Sequence, residues 1–126
     1  MRDDRWTRGV EAYASQFGIE PGDVFAYMRD QFGERMATEA INAAAGAWTD
    51  DELSLRDRSL IVLAALVAQG GVEARLRSHV RWAVEHGCTR AQLEAMTALL
   101  AVYVGYPRAS VAMEVITAEL GGPRDS

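Results

Sequence analysis

Lysine is absent from this chain: all 13 basic residues are arginines, and they are scattered. No run of them is dense enough to track a phosphate backbone or to hold an anionic membrane surface. A net charge of -5 also argues against nucleic acid as a partner. Cysteine occurs once, at Cys88, so neither an intrachain disulfide nor a Cys-rich metal site can form. Long apolar runs are missing too. The longest, LIVLAALVA at residues 60–68, falls far short of the ~20 residues a membrane span needs. The opening MRDDRWTRGV carries charge where a signal peptide needs an apolar core. These absences set the expectation of a soluble, cytoplasmic protein with no membrane partner. No stretch alternates apolar and polar residues between Gly or Asn turns, so strands are not expected.

What is present is helical spacing, from one end to the other. Trp6, Val10, Tyr13 and Phe17 recur at helical steps, and Gly18 can close that helix in a left-handed cap. After IEPGD a second helix is predicted from Val24 to Phe32, with Asp23 as its cap. ERMATEAINAAAGAW at 34–48 is a third, its alanines suited to close packing. SLRD at 54–57 has the form of a helix start, followed by Leu60, Leu63, Ala64 and Val67 on one face. That helix is apolar nearly all round and should be central. Gly70 and Gly71 end it, and the next runs to Gly87. Thr89 and Gln92 form a capping box for a helix reaching about Val104. Gly105 and Pro107 then introduce the last helix, RASVAMEVITAEL. The fold class is all-α: one domain over residues 1–126, a helical bundle of about six or seven helices.

EARLRSHVRWAVEHG, residues 73–87, places a histidine where the helix pattern wants an apolar residue. Val72, Leu76, His79, Val80, Ala83 and Gly87 share one face, with His79 in its middle. Glu73, Arg77, Arg81 and Glu85 run beside it as a solvated or partner-facing edge. Two readings of His79 stand at this point. It is a core histidine hydrogen-bonded to a carbonyl, or it opens into an apolar pocket where burial and nearby arginines keep it neutral near pH 7 and ready to move a proton. Periodicity does not choose between them. His86, beside Gly87, reads as a favourable cation at a helix C-terminus.

Residues 53–113 carry RSLI at 58–61, LRSHVR at 76–81, an eight-residue step from His79 to Gly87, GCT at 87–89 and VYVGYPRA at 102–109. In this order they resemble the carboxymuconolactone decarboxylase family. RWTRGVEAYASQFG is similar to the opening helix of those decarboxylases, and Trp48 stands where they tend to have Trp. The resemblance implies an all-helical, alkylhydroperoxidase-like fold and a homo-oligomer, a trimer or hexamer with pockets near subunit contacts.

Two chemical branches share that scaffold. In the alkylhydroperoxidase-like branch a Cys-x-x-Cys pair precedes the shared histidine; here those positions are Val72 and Arg75. Neither can be oxidised, and Cys88 reads as a packing residue. The decarboxylase branch remains, with a small carboxylated substrate and no cofactor or metal implied. Its reaction needs a cation for the carboxylate and the developing oxyanion, an apolar wall, and a proton donor. By resemblance His79 is the proton-transfer candidate and Arg81 or Arg58 the carboxylate anchor, each arginine having the alternative of a surface ion pair. Tyr103, Trp48, Leu76 and Tyr106 are the candidate substrate-binding residues. Asp57 is either a capping acid or an orienter of Arg58. Departures are also visible. Where the decarboxylases read Gly-Glu-Val-Trp this chain reads AGAW at 45–48, so the acid becomes Gly46, with Asp50, Asp51 and Glu52 just beyond. Arg108 and Ser110 replace Ala and Asn in GYPRAS, which implies a changed substrate.

Overall fold

Seven α-helices and one 3₁₀ turn make up the computed structural model, which describes residues 4–121. No strand occurs among the described residues, in keeping with the all-α expectation. The helices are α1 (Asp4–Phe17), α2 (Val24–Phe32), α3 (Glu34–Trp48), α4 (Leu55–Gln69), α5 (Glu73–Glu85), α6 (Arg90–Val104) and α7 (Tyr106–Leu120). They divide into two compact units, one ending at Leu53 and the other beginning at Ser54.

In the first unit α1 and α2 both pack on α3. Val24, Met28, Ala37 and Ile41 are essentially sealed from solvent, and Trp6, Val10, Tyr13 and Phe17 of α1 close over them. The four-residue α1 stripe of the sequence therefore faces the core and is partly buried, while Gly9 and Ala14 are the fully buried residues of α1. Gly9, on the same helix, lets the backbones approach: a Cβ there would collide with the Ile41 carbonyl of α3. Gly18, at φ +69, ends α1 with its N–H and that of Ile19 on the Ala14 carbonyl. One expectation needs correcting. Asp23 occupies the N-cap position of α2, but its side chain makes no capping hydrogen bond. The preceding 3₁₀ turn, Pro21–Asp23, delivers the chain in αR conformation, so the extended geometry a side-chain cap needs is missing.

In the second unit α4 packs on α5, α6 and α7. Ser54 Oγ accepts from the Asp57 N–H at 3.0 Å, as SLRD predicts. Thr89 and Gln92 form both arms of their capping box, at 3.0 and 3.1 Å. Gly105, at φ +101, separates α6 from α7, and Pro107 sits in the first turn of α7. The core joins Leu63 and Val67 of α4, Leu76, Val80 and Ala83 of α5, Leu93 of α6 and Ala112, Val115 and Ile116 of α7. Cys88 is buried in the same cluster with its Sγ near the Arg56 carbonyl, and burial pushes its thiol pKa up. It packs, as expected. Ile61 leaves one side of α4 open at 54% exposure, so the helix is not enclosed all round.

Two glycines test the packing of the first unit. Gly9→Ala forces a methyl group against backbone and should cost about 1–3 kcal/mol. Gly46→Ala meets no atom within 4 Å and should stabilise α3 by about 0.5–1 kcal/mol. Urea unfolding followed by circular dichroism measures both; equal midpoints for the two variants would contradict the close approach.

Candidate functional site

Three aromatic rings line one face of α5 at steps of three and four: His79, Trp82 and His86. Their centroids are 5.9 Å apart for His79 and Trp82 and 4.6 Å for Trp82 and His86, each pair tilted. Trp82 is buried at 4% exposure, although the face drawn from the sequence leaves it out. The N-terminal part of α4 meets the C-terminal end of this row. Ser59, buried at 2%, places its Oγ 2.8 Å from His86 Nδ1. The hydroxyl can donate to that nitrogen or accept from it, according to the imidazole tautomer. Arg58 precedes Ser59 and is itself buried, at 6%. The RSLI segment thus sends a cation and a hydroxyl inward from one helical turn.

Burial controls the electrostatics of both imidazoles. The pKa of His79 is lowered from 6.5 first by burial, then by the cationic Arg75 one turn back and by His86. That of His86 is lowered by burial, with Glu85 opposing in part. Both are neutral near pH 7. His86 is therefore not the helix-end cation its position suggested; it caps α5 as an uncharged ring held by Ser59. The signal available in the sequence was its seven-residue step from His79, which puts the two rings on one face.

The remaining candidates are not part of this row of rings. Arg81 is two residues from His79, roughly 200° round the helix. It binds Glu119 of α7 at 2.6 Å, and Arg77 approaches the same carboxylate at 3.9 Å. That edge faces an intramolecular partner. Leu76 is buried and lines a cleft at the N-terminal end of α5 whose lining does not include His79. Tyr103 and Tyr106 are 78% and 76% exposed, so neither ring enters the core. Trp48 is half-buried at the end of α3, in the first unit. Asp57 pairs with Arg56 at 3.7 Å rather than orienting Arg58. In the acidic cluster Asp50 accepts the Glu52 N–H at 2.7 Å, an Asx turn.

Residues 36–118 match the Carboxymuconolactone decarboxylase family, and the chain belongs to that family. The match takes in most of α3 and all of α4, α5 and α6, and so contains Arg58, Ser59, His79 and His86. A comparison with curated proteins finds no match.

The lowered imidazole pKa values give stability a pH dependence. Each ring titrates near 6.5 when unfolded and lower when folded. Between those values the unfolded chain holds more protons. Stability from this source is fully present above about pH 6.5, declines as pH falls through that value, and levels off below the folded pKa values. Urea midpoints taken from pH 8 to about pH 5 should fall across that window. The fall should be smaller in His79→Gln and His86→Gln; unchanged slopes in both variants would contradict the burial argument.

Proposed function

We propose that this family member is a cofactor-independent enzyme of the decarboxylase-like branch. It acts on a carboxylated lactone such as 4-carboxymuconolactone, with His79 transferring the proton. The observation that carries this reading is the half-buried, neutral imidazole of His79, set in a row with Trp82 and His86 and close in sequence to the cationic Arg75.

The chemistry follows from charge. A neutral imidazole in a partly dry site gains a proton when an anion binds beside it, because the anion offsets the burial cost of the cation. Substrate binding thus recruits the acid. The bond from the ring carbon to the carboxylate then breaks, and its electron pair moves through the conjugated system into the lactone carbonyl. Carbon dioxide leaves, and the imidazolium returns a proton to carbon. Arg58 is favoured over Arg81 as the cation that seats the carboxylate and meets the developing oxyanion. It is buried beside Ser59, whose hydroxyl pairs with His86, whereas Arg81 lies exposed on the edge of α5 that faces α7. Tyr103, Trp48, Leu76 and Tyr106 remain the proposed substrate-binding set. The single buried thiol, its pKa raised, supports this branch over a thiol peroxidase.

Assembly belongs to the same proposal. Leu99, Val102, Tyr103 and Tyr106 form an exposed apolar stripe along α6 into α7, which supports a homo-oligomer, a trimer or hexamer. A second reading is a diverged member running another lyase, hydrolase or isomerase step. The bare Gly46, with open space where the decarboxylases carry an acid, favours it. A non-catalytic oligomeric binding protein is the reading outside enzymes.

His79→Ala decides between enzyme and scaffold. With 4-carboxymuconolactone as substrate, carbon dioxide release should fall by about 10²–10⁴-fold in kcat. The variant should remain folded by circular dichroism. Wild-type protein without turnover on this substrate rules out the decarboxylase reading, and full activity in the variant removes His79 from the chemistry.

A further inference from the structure

An open cleft of about 380 Å³ lies between the C-terminal end of α4, the first turn of α5 and the first turn of α7. That volume sits at the low end of small-molecule sites, roughly 300–1,000 Å³. Leu66 of α4, Leu76 of α5 and Val111 of α7 provide hydrocarbon walls. Two charged side chains, Arg108 and Glu73, share the lining, and no ion pair joins them.

The guanidinium of Arg108 is anchored through one nitrogen. Nη1 donates to the carbonyl of Ala68 at 2.9 Å and to that of Gln69, in the last turn of α4. Those carbonyls form the negative end of the helix, so they fix the cation as well as accept from it. Gly70 makes the arrangement possible: it adopts φ +72, and a Cβ there would collide with the guanidinium. The Nε–Nη2 edge forms no hydrogen bond among the described residues. It is the edge whose two parallel N–H groups match a carboxylate in bidentate fashion. An arginine held this way loses little freedom on binding an anion, because the helix end has already ordered it.

We propose that this cleft binds a small monocarboxylate with a compact, branched hydrocarbon body. The Nε–Nη2 edge of Arg108 takes the carboxylate, and Leu66, Leu76 and Val111 take the hydrocarbon. Glu73 sets the charge of the ligand. As an acid in the first turn of α5 it is stabilised by the helix dipole, and it brings negative charge into the same cleft. A second carboxylate on the ligand would meet repulsion there, so the cleft selects a monoanion over a dianion. The cleft shares Leu76 with the proposed substrate-binding set, but neither His79 nor Arg58 is in its lining.

The test is a titration of the full chain with 4-methylpentanoate, followed by amide chemical shifts in nuclear magnetic resonance and by calorimetry. 4-Methylpentanamide serves as the neutral isostere and 3-methylglutarate as the dianion. Shifts should concentrate at Gly70 to Leu76 and at Pro107-flanking amides. The monocarboxylate should bind at least about tenfold more tightly than either comparison compound. Arg108→Gln should bring its affinity down to that of the amide. Because Arg108 also holds the end of α4, Arg108→Lys is the second variant: it keeps a cation for the α4 carbonyls but lacks the forked edge, and should bind several-fold more weakly than wild type. The proposal is overturned if wild type shows no carboxylate-dependent shifts at these amides, if the amide binds as well as the acid, or if both variants bind like wild type. The readout is binding, so a lack of decarboxylase turnover leaves this result intact.

Discussion

Taking an imidazole out of water penalises its charged form, and the arginine one turn before His79 adds to that penalty. Most of what the second unit builds around α5 bears on this one constraint. A ring kept neutral in a partly apolar setting can accept a proton when an anion arrives and give it up when the anion's charge has gone. A fully solvated histidine would titrate near 6.5 whatever bound beside it, and a fully enclosed one could not meet a substrate. The half-burial of His79 lies between these limits.

The rest of the row depends on α4. Ser59 fixes His86, His86 packs on Trp82, and Trp82 packs toward His79. The chain of contacts begins in the same helical turn that sends Arg58 inward, and that turn is set by the Ser54 cap one turn earlier. A local hydrogen bond at a helix start therefore carries through to the placement of groups on a different helix. The opposite edge of α5 is held by another device, the Glu119 carboxylate between Arg77 and Arg81. With one edge tied to α4 and the other to α7, the rotation of α5 about its own axis is fixed.

How much of this was legible in the sequence follows from the range of each interaction. The Ser54 and Thr89 caps, the Pro107 start and the glycine stops act within a few residues, and each helix stands where its local signals put it. The stripe of α1 and the Leu76, Val80, Ala83 face of α5 were legible because periodicity reports burial directly. Asp23 misled because a 3₁₀ turn, invisible to cap counting, changed the backbone entering α2. The pairing of Ser59 with His86 spans 27 residues, that of Arg81 with Glu119 spans 38, and the hold of Arg108 on α4 spans 40. No pattern along the chain encodes such partners. Hence Arg81 read without its Glu119 partner, His86 read as a cation, and Arg108 read only as a departure from the family's habit.

The most direct measurement is the titration of the His79 imidazole itself, followed by nuclear magnetic resonance in the free protein and in the presence of a carboxylated lactone. The account requires a midpoint below 6.5 in the free protein, rising when the anion binds. A midpoint at or above 6.5 without ligand, or one that the lactone leaves unmoved, would contradict it.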